Sequence, residues 1–110
     1  MEIQTYPSRD EARDAITIPD KNYMFVRHVF KPGGAVKLHF HPKANEWLIV
    51  SDGEFQVRLE EEKRMFNLQH QAIAIHFPAG QKHSLAAISD VSYSVLRDRE
   101  DKTVYCNNPL

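Results

Sequence analysis

The sequence predicts an all-β domain, either a sandwich or a barrel. Two observations carry that expectation. Turn signals recur roughly every 6 to 12 residues, and the runs between them alternate apolar with polar or are apolar throughout. No apolar pattern of helical period long enough for a substantial helix interrupts them. At 110 residues and 42% hydrophobic content the chain is long enough for one domain with a single core.

Taken in order, the first 20 residues are mixed. Ser8 to Ala15 can form a short helix, with Ser8 as N-cap and Glu11 completing a capping box. We expect residues 1–22 as an N-terminal arm and 23–110 as the domain proper. Tyr23 to Lys31 (YMFVRHVFK) is strand-like and apolar on both faces, and Pro32-Gly33-Gly34 stops it. Ala35 to His41 is a second strand. A Pro42-to-Asn45 turn folds the chain back into a third, Glu46 to Ser51, apolar on both sides. Asp52-Gly53 is a two-residue hairpin signal. Beyond it Phe55, Val57 and Leu59 alternate with Glu54, Gln56, Arg58 and Glu60, so that strand has one wet face. Glu61 to Arg64 is an exposed turn, and Met65 to Leu68 begins the return. Ala72 to Phe77 follows; Pro78-Ala79-Gly80 then turns the chain into a strand carrying His83, Leu85 and Ala87 on one face. After Ser89-Asp90, Val91 to Arg97 is the last strand.

His39 and His41 are one residue apart on a strand, so their side chains share a face with Cα atoms about 7 Å apart. The following turn brings the Glu46 carboxylate alongside them. Two imidazole nitrogens and one carboxylate oxygen make a divalent-metal site. Lys37 shares the histidine parity and Arg97 that of Tyr93 and Val95; Lys37, Tyr93 and Arg97 are therefore candidate substrate contacts, the two cations for an acidic group. The opposite face would carry Val36, Leu38, Phe40, Trp47 and Ile49. An apolar patch of that extent is rarely left bare. Either the arm or a second subunit covers it, and we expect a homodimer. His28, His70 and His76 lack comparable partners and read as surface or core, and Cys106 reads as no nucleophile.

The remaining composition excludes several classes. Fourteen basic and fifteen acidic residues give a net charge of −1, with no basic cluster to support nucleic-acid binding. No run approaches the roughly 18 apolar residues of a membrane span. The N-terminal stretch lacks the apolar core of a signal peptide, and the single cysteine allows no internal disulfide. A cytoplasmic protein is expected, with a small-molecule ligand and neither nucleic-acid nor membrane partners.

Gly33, five residues, His39, one residue, His41, four residues, Glu46, six residues, Gly53 resembles the first motif of the cupin superfamily at every defined position. Pro78, Gly80 and His83 resemble the P-x-G-x-x-H core of its second motif, whose opening glycine and closing asparagine fall here at Ala72 and Ala87. The resemblance implies the double-stranded β-helix, or jelly-roll barrel, of cupins. It implies His39, His41, Glu46 and His83 as ligands of one divalent transition metal, iron, manganese, nickel or zinc, with one or two coordination positions open to a substrate. Glu46, the only carboxylate of the four, is also the candidate tuner of the site's charge. The activity implied is that of a metal-dependent, dioxygenase-like enzyme acting on a small polar molecule in the barrel. The alternatives are a sugar or sugar-phosphate isomerase or binding cupin, and a non-catalytic ligand-binding module.

Overall fold

Strand β4, Glu46–Arg58, organises the molecule because it belongs to both of its sheets. The computed structural model describes residues 2–20 and 25–106 of the chain. The first half of β4 pairs antiparallel with β6 (Ala72–Phe77) on one side and β8 (Val91–Arg97) on the other. Its second half pairs antiparallel with β5 (Lys63–Leu68) and β7 (His83–Ala87). The first sheet is extended by β1 (Glu2–Tyr6) on β6 and β2 (His28–Phe30) on β8. The second is extended by β3 (Ala35–Phe40) on β7 and β9 (Val104–Tyr105) on β3. The result is the all-antiparallel jelly roll expected. Its core packs Leu48, Val50, Phe55, Val57, Ile73, Ile75, Phe77 and Leu85 between the sheets.

The expected hairpin at Asp52-Gly53 is not there: β4 runs through it without reversing. Ladder register shifts between Val50 and Asp52, and at Gly53 the strand leaves one sheet for the other. Gly53 has φ +110°, and its α-carbon faces the Asp90 carbonyl so closely that a Cβ would collide with it and with Val91. A dipeptide that favours positive φ serves a two-residue turn and a strand corner equally well, and here the flanking strand partners choose the corner. The true hairpin lies further on, at residues 59–62, where the Leu59 N–H donates to the Glu62 carbonyl.

The N-terminal segment is built into the sheet. Ser8 caps α1 (Arg9–Ala15) by accepting the Glu11 N–H, as the capping box predicts, and β1 pairs along β6 from Glu2 to Tyr6. Ala12 and Ile16 pack on Ile49, Ala74 and Leu96. Arg9 donates to the buried Ser94 hydroxyl and lies over the Phe25 ring, tying the helix to β8. This answers much of the outward-face question within one chain: Ile49 is fully buried beneath α1, and Trp47 is half-buried against the same cluster. Val36 does not belong to that face. A β-bulge between Val36 and His39 reverses parity, so Val36 pairs with Leu85 and faces the interior. The expected boundary at residues 22–23, with Tyr23 and Met24 of the expected strand, lies outside the described residues.

Candidate metal centre

His39 and His41 lie in and just beyond β3, Glu46 opens β4 and His83 opens β7. The register sets His39 against His83, with ring centroids 4.4 Å apart. One ligand atom from each of His39, His41, Glu46 and His83 lies within 4.8 Å of the other three, and all four residues are buried. Four such donors could hold one metal ion.

The backbone fixes how the rings point. Each Nδ1 faces a carbonyl oxygen: His39 that of Lys37 at 2.8 Å, His83 that of Gln81 at 2.8 Å, and His41 that of Lys102 at 3.1 Å. A carbonyl only accepts, so each Nδ1 carries a proton and Nε2 is the atom left for ligation. Two of these Nε2 atoms meet the carboxylate. His41 Nε2 lies 2.8 Å from Glu46 Oε2, and His83 Nε2 lies 3.1 Å from Oε1. Lone pairs facing a carboxylate repel unless a cation, a metal ion or a ring proton, stands among them. The chemistry of the donor set therefore fits a divalent metal, which imidazole and carboxylate together suit.

Burial alone would raise the Glu46 pKa. Without a metal, ring protons that His41 and His83 turn toward the carboxylate, together with the Arg97 N–H, outweigh it and hold the carboxyl well below the usual range. A depressed carboxylate stabilises the fold fully above the unfolded value of about 4.3, and that contribution goes only as pH falls through the folded value. Burial also lowers the His39 pKa, helped by the neighbouring His83 and partly offset by the Lys37 carbonyl, which keeps the ring neutral and ready to ligate. Phe77 stacks on His83 with centroids 4.0 Å apart and planes 4° apart, locking that ring.

Three of the four donors, His39, Glu46 and His83, line a cavity of about 200 Å³; His41 is not part of its lining. Val36, Leu48, Leu85 and Val95 give it an apolar wall, while Ser84, Tyr93, Arg97 and Thr103 add polar groups. Of the candidate substrate contacts, Tyr93 and Arg97 line it. Arg97 Nε donates to Glu46 Oε2 at 2.8 Å, with Nη2 3.3 Å from His41 Nε2. Burial raises the Tyr93 pKa, so its hydroxyl stays a donor. Lys37 is exposed and outside the lining, because the same bulge that turns Val36 inward turns Lys37 out.

Sequence reasoning missed the segment after β8. Asp98 accepts the Asn45 N–H and side-chain amide. Asp101 accepts the N–H groups of Lys43, Ala44 and Lys102, and these bonds hold its pKa low. The two aspartates clamp the turn between the candidate ligands His41 and Glu46, and Lys102 supplies the carbonyl that orients His41. Nothing in composition marks a backbone carbonyl as an orienting group, although two aspartates after a strand could have suggested a turn clamp. Asp101→Ala is expected to weaken metal affinity about tenfold, the low end for a ligand-supporting partner. Zinc titration by calorimetry measures it; unchanged affinity would mean that the clamp is irrelevant to the ligands. His28, expected as surface or core, is exposed at the cavity mouth and stacks on Tyr93 at 5.2 Å.

A family model described as "Cupin domain" matches residues 26–96. No curated protein matches. Among solved structures, the chain resembles the capsular polysaccharide assembling protein CapF from Staphylococcus aureus, at 18% identity and TM-score 0.60, over 72% of this chain and 25% of that one. It also resembles a sugar phosphate isomerase of the cupin superfamily from Silicibacter pomeroyi, at 18% identity and TM-score 0.62, over 74% and 55%. A third is recombinant oxalate oxidase in complex with glycolate, at 22% identity and TM-score 0.58, over 72% and 43%. The chain thus spans a quarter of the capsular protein and about half of the other two. At these identities the likenesses show the fold alone.

Proposed function

The chain belongs to the cupin domain family, and from that premise we propose that it is a metal-dependent enzyme, oxygenase-like in type, acting on a small polar molecule. The observation that carries this is the buried His39, His41, Glu46 and His83 cluster opening onto the cavity. A bound divalent ion would supply Lewis acidity or, if redox-active, one-electron chemistry with dioxygen.

The chain's own residues do the rest. Three carbonyl-anchored histidines and Glu46 would hold the ion, Phe77 and the apolar wall keep bulk water from it, and Tyr93 and Arg97 orient the substrate. At about 200 Å³ the cavity is below the roughly 300–1,000 Å³ of drug-sized pockets, so the substrate is small. The apolar wall disfavours a polyhydroxylated sugar chain, whose hydroxyls would lose water without gaining partners along it. That observation ranks the oxygenase reading above the sugar-isomerase one.

The test begins with metal analysis of protein purified without added metal or chelator, where about one equivalent of a transition metal per chain is expected. Small hydroxy acids, thiols and enediols are then screened for oxygen uptake by the metal-loaded protein. Glu46→Gln keeps the ligand's size and one oxygen but removes its charge. At metal saturation it should cut turnover at least about tenfold, or ~1.4 kcal/mol. Unchanged turnover would count against a catalytic metal, and no turnover on any compound would favour a binding module.

A further inference from the structure

The cavity holds an imbalance of charge that the four donors do not cancel. Among its described lining residues, Glu46 is the only carboxylate and Arg97 the only Lys or Arg. The Arg97 and Glu46 side chains are 14% and 6% exposed, and they pair at 2.8 Å. A ring that ligates a metal does so through an unprotonated nitrogen and adds no charge, so in the loaded site that pair sums to zero. A divalent cation among the donors would bring the enclosed site to a net charge of +2. Enclosed charge of one sign is costly unless a counter-charge accompanies it.

Among the described lining residues no second carboxylate supplies the counter-charge: Val36, Leu48, Leu85 and Val95 carry none, and Tyr93 is held in its neutral form. A ligand can bring it. A guanidinium is also the side chain best shaped for a carboxylate, because its N–H groups form a planar fork.

Resting on the metal reading above, we propose that the cavity takes a small organic carboxylate, its charged head between Arg97 and the four donors and its short apolar body against Val36, Leu85 and Val95. Arg97 then sets specificity. It favours anions over neutral compounds of the same shape and opposes metal affinity when no anion is present.

The probes are isobutyrate and its neutral isostere isobutyramide, titrated by calorimetry into protein loaded with zinc. Isobutyrate should bind at least tenfold more tightly than isobutyramide. Metal alone also prefers a carboxylate, so the decisive comparison is Arg97→Gln. That change should weaken isobutyrate at least tenfold, leave isobutyramide within twofold, and strengthen zinc binding to the anion-free protein. Arg97→Lys, which keeps the charge, should recover part of the isobutyrate affinity; it also serves if Arg97→Gln does not fold.

Failure of each idea has its own signature. Stoichiometric zinc with equal isobutyrate affinity in wild type and Arg97→Gln would overturn the carboxylate assignment and leave the metal centre standing. If Arg97→Gln does not fold, isobutyrate affinity in the zinc-loaded wild type no greater than that for isobutyramide overturns it. Absence of stoichiometric zinc in the wild type would overturn both.

Discussion

Replacing His39 and His41 together with alanine is expected to abolish stoichiometric metal binding. An orienting partner of a ligand is commonly worth about 10–100-fold in affinity, so losing two of four ligands should cost at least about a thousandfold. The fold should survive. Glu46 keeps the Arg97 guanidinium on Oε2, so its buried charge is not orphaned, and neither histidine belongs to the apolar core. The measurement is metal content after equilibrium dialysis, alongside β-sheet circular dichroism. A full equivalent of metal retained by a folded double variant would sink the ligand assignment.

The second large effect is expected far from the metal. Gly53→Ala should destabilise the protein by on the order of 3 kcal/mol or more, a fall in Tm of roughly 10–20 °C. Two costs combine. The backbone there sits at φ +110°, which L residues rarely adopt, and a Cβ would press on the Asp90 carbonyl and on Val91. Thermal melts compare it with Gly33→Ala, which has φ +87° but open space around its Cβ. If both variants melt alike, close approach at the corner is not what requires glycine at position 53.

Gly53 also shows how one residue can be rightly noticed and wrongly explained. Asp-Gly announces a reversal of chain direction, yet β4 bends from one sheet into the other. The choice depends on which strands flank it, and β5, β6, β7 and β8 are all supplied by later sequence. The fate of Lys37 has a similar cause. Strict alternation placed it beside His39, but one bulge between Val36 and His39 exchanged the places of Val36 and Lys37. A parity argument is only as good as the regularity of the strand, and bulges depend on pairing with a distant partner.

What the sequence determined by itself was local in nature. Turn spacing and apolar alternation specified antiparallel β structure, because strand period and turn chemistry are properties of neighbouring residues. The histidine pair and Glu46 were legible for the same reason: i,i+2 spacing on a strand and one short turn bring them together, while His83 was added by the resemblance to the second cupin motif. The tertiary structure decided everything that requires segments distant in sequence to meet. It placed α1 over Ile49, Arg97 on Glu46, the Lys102 carbonyl on His41 and the Asp98 and Asp101 clamps on the ligand turn. These contacts join residues 33 to 61 positions apart, or further, and they form because barrel closure brings the far end of the chain back across β3 and β4. No local pattern encodes such closure, which is why the four clustered donors could be read from the chain, and Arg97 as a candidate site residue, while the contacts that orient and charge the donors could not.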